Sequence, residues 1–284
     1  MGIQRQLGRA ANRLLNPYGY SLQKTGSDFD SRVENRAALD RMFRELADAA
    51  EHWLGSQTLF EHRPFPAREG VAEFYEAYIA SPYRQPYGGS RFNNLVWLYL
   101  IARSCRPTVI VDSGTYQGAS AWALSQGAPA GVPLYSFDID LSQLKGKVDA
   151  TYVESDWAGH DFAEDLSRGL CYFDDHVDQA RRLIEAQEKG FPLAIFDDDF
   201  PITSFAQMAH DGRALPKVEM VLDEQLRDEA TLRWISGGKP YSWDVDAAYL
   251  DRARQTIAAT DRLPNTSLVT GIHQTPYRVV KLAV

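Results

Sequence analysis

Five short, mainly apolar runs follow one another between residues 108 and 196: TVIV (108–111), PLYSF (133–137), ATYV (150–153), LCYF (170–173) and PLAIF (192–196). Helical or loop stretches separate them. Runs of this length without polar alternation suit strands covered on both faces, the condition of a parallel sheet held between helices. The spacing therefore predicts repeated βαβ units. The closing stretch TSLVTGIHQTPYRVVKLAV (266–284) reads as two further strands joined by a tight connection, an antiparallel pair on one sheet edge. The predicted fold class is α/β: a doubly wound, mostly parallel, seven-stranded sheet.

Ahead of the sheet the periodicity is helical. Leu39, Met42, Phe43, Leu46, Trp53 and Leu54 recur at helical spacing with Gly55 as a stop, and Val71, Phe74, Tyr75, Tyr78 and Ile79 repeat the pattern. After the turn-rich SPYRQPYGGS (81–90), a further apolar helix is predicted from Phe92 to Ser104. The chain thus divides into an N-terminal helical extension, 1–87, and a sheet domain, 88–284, with a long insertion at about 200–265. A chain of 284 residues, 44% hydrophobic, can bury a large core. The apolar run LVWLYLIA (95–102) is too short to cross a bilayer, and no charged-then-apolar leader opens the sequence, so a cytoplasmic location is expected. Cys105 and Cys171 match no metal or redox spacing and are expected as small buried hydrophobes.

The net charge of −8 argues against nucleic acid as a partner of the main body. Residues 1–27, by contrast, hold Arg5, Arg9, Arg13 and Lys24 and no acid. With Ile3, Leu7, Ala10, Ala11 and Leu14 on another stripe, the pattern predicts a basic amphipathic helix. It is suited to a peripheral membrane surface, to docking on its own protein, or to a partner subunit in a homo-oligomer.

The first predicted strand runs into VIVDSGTYQGAS (109–120), which sets Asp112, Gly114 and Gly118 ahead of a helix beginning near Ser120. A glycine turn between strand and helix lets a ligand approach the backbone and meet helix N-terminal N–H groups, so Gly114, Thr115, Gly118 and Ser120 are candidate nucleotide-binding positions. The next strand ends at Asp138, twenty residues after Gly118, where a carboxylate can accept from ribose hydroxyls. The Asp-x-Gly-x-x-x-Gly spacing resembles the first motif of the class I S-adenosylmethionine-dependent methyltransferases. The resemblance covers roughly residues 88–284, and the terminal strand pair is similar to that family's reversed last strand. It implies a Rossmann-like methyltransferase fold binding S-adenosylmethionine. Asp112, Gly114 and Gly118 would lie on the methionine side, Asp138 at the ribose, and Ser155 or Asp156 of VESDW near the adenine.

In a doubly wound sheet, ligands bind beyond the carboxyl ends of the strands. The end of LCYF, followed by Asp174, Asp175 and His176, and the end of PLAIF, followed by Asp197, Asp198 and Asp199, should therefore share the cofactor crevice. Adjacent strands lie about 5 Å apart, so Asp174 or Asp175 could share a hard divalent ion, Mg²⁺ or Ca²⁺, with Asp197 and Asp198. The two stretches look like those of the metal-dependent macrolide sugar O-methyltransferases and the cephalosporin-hydroxylase-like group, although the glycine of their usual Asp-Gly-Asp is absent. A structural alternative stands beside this: Asp174 or Asp175 could cap the helix predicted at 177–189, and Asp199 could be a turn residue. His176 and Asp175 are candidate bases for a hydroxyl proton. Tyr241 and Trp243, in the predicted insertion, are candidates to stack on an acceptor.

The expected function is O-methyl transfer from S-adenosylmethionine, metal-assisted, to a hydroxyl of a saccharide or other small acceptor. The alternatives are a methyltransferase-like binding module without catalysis and a nucleotide-dependent oxidoreductase.

Overall fold

Residue alternation along the strands sorts side chains onto the two faces of one sheet. Ile110, Leu170, Tyr172, Leu193 and Ile195 pack into the core on one side, while Val109, Val111, Cys171, Phe173, Ala194 and Phe196 pack into the core on the other. Both faces are apolar because both are covered by helices, which is why the sequence shows continuous runs instead of alternation. The computed structural model describes residues 35–84, 90–201, 203–204, 214–236 and 238–284, together with Ala11 and Leu14. The basic stripe Arg5, Arg9, Arg13 and Lys24 lies outside the described residues.

The strands β1 (Ile110–Ser113), β2 (Leu134–Asp138), β3 (Thr151–Glu154), β4 (Leu170–Phe173) and β5 (Leu193–Phe196) are parallel; β6 (Thr231–Ser236) and β7 (Lys239–Asp244) form a separate hairpin. With β8 (Ile257–Arg262) and β9 (Arg278–Leu282) the main sheet has seven strands in the order β3-β2-β1-β4-β5-β9-β8, and β9 runs antiparallel to both neighbours. The expected doubly wound, mostly parallel sheet is present. Its order reverses between β1 and β4, the place where such sheets open a crevice.

One face is covered by α1 (Arg36–Ser56), α2 (Ala67–Ala80), α3 (Phe92–Cys105) and α4 (Ala119–Gly127). Helix α1 continues through Gly55 and closes at Gln57. Aromatic rings knit this layer together: Phe74 stacks on Tyr99 at 4.9 Å, and Trp53 meets Trp97 edge-on at 5.8 Å. The other face is covered by α5 (Gln179–Lys189), α6 (Val218–Leu222) and α7 (Ala247–Gln255). Cys171 is buried, Cys105 half-buried, and both are free thiols.

The terminal strand pair differs from expectation. TSLVT forms a short helix, α8 (Ser267–Thr270), and the partner of β9 is the upstream segment IAATDR of β8. The reason is local polar bonding: Asn265 accepts from Ser267 N at 2.8 Å, and buried Gln274 accepts from Thr266 N at 2.8 Å, which folds the connection back on itself. β8 is an edge strand with one face in water, so it carries no apolar run to advertise it.

Candidate active site

At the end of β1 the backbone passes so close to the β4 loop that a side chain has no room. Gly114 has φ +100°, and a Cβ there would stand 2.5 Å from the carbonyl carbon and oxygen of Asp174 and 2.8 Å from Asp175 N. Only glycine closes this gap. Gly114 N and Thr115 N donate to Phe137 O at 2.9 and 3.1 Å, tying the turn to the end of β2. Gly118, also left-handed, begins α4 beneath Leu144 and the Tyr83 hydroxyl.

A cavity of about 410 Å³ opens above this turn, within the usual range of small-ligand sites. Of the cofactor residues expected from sequence, Gly114, Thr115, Ser120, Asp138, Ser155 and Asp156 line it. Asp112 and Gly118 do not; Asp112 is fully buried below the turn, and its Oδ2 accepts from Ser136 Oγ at 2.6 Å. Burial pushes the Asp112 carboxyl up to about 6, and its Oδ1 has no hydrogen-bond partner among the described residues. Asp138 Oδ2 accepts from Tyr116 N at 2.7 Å, so the carboxylate orients the glycine turn as well as facing the cavity. Ile139, beside it, is 83% exposed at the cavity edge and offers an apolar surface for a flat ring.

Asp156 is engaged by protein groups. It caps a short 3₁₀ turn through Ala158 N (3.0 Å) and pairs with Arg182 Nη1 at 2.9 Å and Arg181 Nη2 at 3.1 Å. Burial works to raise its pKa, but the Ala158 amide and the guanidinium groups outweigh it and hold the carboxyl below its ordinary value. Arg182 is one of the residues that sequence reasoning missed. Only 2% exposed, it reaches from α5 to Asp156, Glu185 and, through Nε at 2.9 Å, Asp175. Its one sequence signal is a pair of adjacent arginines in a helix that also presents an apolar face.

The acidic residues after β4 and β5 have sharply different surroundings. Asp175 Oδ2 accepts from Ser113 Oγ (2.6 Å) and Arg182 Nε (2.9 Å), and Oδ1 accepts from Val177 N (3.2 Å). Asp197, nearly fully buried, accepts from Tyr172 OH (3.0 Å), Asp198 N (2.7 Å) and the Thr275 hydroxyl. Asp199, fully buried, pairs with Arg278 of β9 and accepts from Glu219 N at 2.7 Å. Neither Asp174 nor Asp175 caps α5; Asp178 does, accepting from Arg181 N at 2.9 Å.

Among the described residues, the three groups whose ligand atoms converge are Asp174, His176 and Asp198, all within 4.8 Å of one another. Of the four expected metal ligands, the structure brings Asp174 and Asp198 together and adds His176. Asp175 and Asp197 have both carboxylate oxygens taken by protein donors. His176 and Asp198 hold left-handed backbones, φ +54° and +55°, a conformation that costs a non-glycine residue about 1–3 kcal/mol and persists where surrounding structure enforces it. Burial raises the Asp174 and Asp197 carboxyls, Asp197 to about 7, and the neighbouring aspartate charges add to the shift. The donor set of one imidazole and two carboxylates suits a divalent cation.

A second cavity, about 110 Å³, adjoins the first. Ser90, Asp174 and His176 border both; Arg91, Asn94, Asp197, Asp198, His273 and Thr275 complete the smaller one. Ser90, His273 and Thr275 gave no sequence signal, because they come from the start of α3 and from the β8–β9 connection. Tyr241 and Trp243 border neither cavity. Tyr241 stacks on Trp234 at 5.8 Å across the hairpin, and Trp243 packs on the core beneath it.

The sequence matches no family model and no curated protein. Solved structures resemble the fold. The O-methyltransferase TomG of Streptomyces achromogenes, involved in tomaymycin synthesis and solved with S-adenosylmethionine, shares 12% identity over 100% of both chains, with a TM-score of 0.40. The Podospora anserina methyltransferase PaMTH1, bound to S-adenosylhomocysteine, shares 14% over 89% of this chain and 99% of its own, with a TM-score of 0.40. An O-methyltransferase of Bacillus cereus, also with S-adenosylhomocysteine, shares 11% over 97% and 99%, with a TM-score of 0.34. The seven-stranded sheet itself, doubly wound with β9 reversed, has the Rossmann-like methyltransferase arrangement that the sequence resemblance implied.

Proposed function

We propose that the protein is an S-adenosylmethionine-dependent O-methyltransferase acting, with a divalent ion, on a hydroxyl of a saccharide or similar polyol. The observation that carries this reading is the wall shared by the two cavities, where Asp174 and His176 face both. The residues of the larger cavity fit the cofactor: a turn whose Gly114 presents bare backbone, Asp138 for ribose hydroxyls, Ile139 for the purine face and Ser155 at the rim. Asp174, His176 and Asp198 would hold the ion. When bound, the cofactor supplies a methyl group on a sulfonium, and the ion supplies Lewis acidity to a coordinated hydroxyl.

The chain's own part is alignment and proton handling. Arg182 and Ser113 pin Asp175, which keeps the β4 loop against Gly114 and fixes the distance between the cavities. His176, 71% exposed at the junction with Asp198 Oδ2 4.0 Å from its Nε2, is placed to receive the acceptor's proton in the ion-free site; with an ion held, the acidified hydroxyl would lose its proton to solvent at this exposed junction. The polar lining of the smaller cavity by Ser90, Asn94, His273 and Thr275 favours an acceptor rich in hydroxyls.

The test is a panel of nucleotide-sugars, glycosides, catechols and amines with radiolabelled S-adenosylmethionine, with and without chelator. Chelator-sensitive methylation of saccharides is expected. Transfer only to amines, or transfer indifferent to chelator, overturns the acceptor and metal assignments. A melting temperature raised by NAD and not by S-adenosylhomocysteine points to the oxidoreductase reading, and a rise with neither points to a binding module.

A further inference from the structure

Beneath the carboxylates at the end of β5 lies a cation on a clamped segment. Lys217 is 2% exposed and borders a small cavity together with Asp174, His176, Asp197 and Asp198. The same four residues border the acceptor-side cavity, so they form the wall between it and the lysine. Gln179 grips the chain on both sides of Lys217: its N–H donates to Pro216 O at 2.9 Å, and its Oε1 accepts from Val218 N at 2.9 Å. Its Nε2 then donates to Asp197 O at 2.7 Å, and Glu219 N donates to Asp199 Oδ1 at 2.7 Å. Four hydrogen bonds therefore fix where the lysine backbone stands relative to the acidic triplet.

A buried ammonium requires facing anions to offset its lost hydration. Burial pulls the Lys217 ammonium down from its ordinary value, and the carboxylates of Asp198, Asp199, Asp197 and Asp174 oppose that shift; Asp174, Asp197 and Asp198 share the small cavity with it, and Asp199 is already paired to Arg278. In ionised form, three carboxylates and one ammonium leave two negative charges, the complement of one divalent ion. We propose that Lys217 is the resident counter-cation of this cluster and sets its affinity for divalent ions, because its charge acts through space on the same Asp174 and Asp198 carboxylates that would ligate one. The proposal rests on the metal reading given above and extends it to a residue outside the ligand set. Its consequence is a site that holds its ion loosely, since any ion bound there is repelled by the lysine charge facing the same small cavity.

The experiment is calorimetric titration of Mn²⁺ into the full chain, comparing wild type with Lys217→Met, Lys217→Gln and Lys217→Arg. S-Adenosylhomocysteine titration serves as a folding control, since Lys217 does not border the larger cavity. Loss of the positive charge should tighten Mn²⁺ binding by about tenfold or more in the Met and Gln variants, and Lys217→Arg should not tighten it. Unchanged or weaker Mn²⁺ binding in neutral variants that keep cofactor affinity overturns the role of Lys217, while wild-type Mn²⁺ binding leaves the metal reading standing. Binding by the neutral variants alone supports Lys217 and removes the ion from the wild-type reading. Binding by no variant overturns both. If the neutral variants do not fold, the charge-balanced pair Lys217→Met with Asp197→Asn must bind Mn²⁺ as wild type does, and a different affinity overturns the proposal.

Discussion

Replacing Gly114 by alanine tests the close approach on which the whole site depends. Two costs can be worked from the structure. The backbone at φ +100° is foreign to an L-residue, which adds about 1–2 kcal/mol. The new methyl would also stand 2.5 Å from the carbonyl of Asp174, where ordinary contact begins at 3.4 Å, so the β4 loop must retreat by 0.9 Å. Overpacking of that size costs about 1–3 kcal/mol more, for a total of about 2–5 kcal/mol. Gly131→Ala is the control: it too has positive φ, +78°, but nothing lies within 4 Å of its Cβ position, so only the backbone cost applies. Urea unfolding measures the difference between the two variants. Displacing the β4 loop also separates Asp175 from Ser113 Oγ, and a shift near 1 Å in a binding constellation is worth on the order of 10–100-fold. Calorimetry should therefore show S-adenosylhomocysteine affinity reduced by that factor in Gly114→Ala and unchanged in Gly131→Ala. A Gly114→Ala protein as stable as the control, with wild-type cofactor affinity, would refute the argument from close approach.

Further outcomes follow from individual residues. Asp138→Ala should weaken S-adenosylhomocysteine binding by about 1–3 kcal/mol, because it removes the proposed ribose acceptor and the partner of Tyr116 N; unchanged affinity by calorimetry takes Asp138 out of the site. Asp199→Ala should destabilise the fold by about 1–3 kcal/mol, since it leaves Glu219 N without its acceptor and buried Arg278 with Glu219 as its remaining carboxylate partner, whereas Asp198→Ala, at a partly exposed position, should cost less in the same urea assay. Asp198→Asn should abolish any rise in melting temperature that Mn²⁺ or Mg²⁺ produces in the wild type. The pH dependence has a definite sign. Asp112 is raised from 3.8 to about 6 in the fold, so between these values the native state binds more protons than the unfolded state and stability falls as pH rises. The loss from this group is of order 3 kcal/mol by pH 7. Unfolding free energies of the ligand-free protein at pH 4 to 7 should show the decline, and Asp112→Asn should remove its share of about 3 kcal/mol while leaving the part due to Asp174 and Asp197, whose carboxyls are also raised; an Asp112→Asn curve as steep as the wild type contradicts the assignment.

Much of the architecture was legible in the sequence because its signals are local. A strand covered on both faces must be apolar at every position, so β1, β2, β4 and β5 announced themselves as runs, and the glycine turn announced itself by spacing. Asp138 could be placed because β2 follows one helix after β1, a fixed distance along the chain. The β8 strand escaped because one of its faces is wet, and the aromatic residues of the hairpin were misassigned because a tryptophan on a core and a tryptophan on a ligand look alike in one dimension. The acidic triplet marks the boundary most clearly. Three identical neighbours, Asp197, Asp198 and Asp199, became a buried acceptor held by Tyr172 and Thr275, a left-handed residue facing the cavities, and an ion-pair partner of Arg278. Their chemistry is set by side chains arriving from elsewhere in the chain, and with it by how each oxygen is desolvated and paired. Composition and spacing bring carboxylates to the end of a strand. Which of them stays available to a ligand is decided only when β4, β9 and the Lys217 segment close around them, because burial and opposing charge act through space.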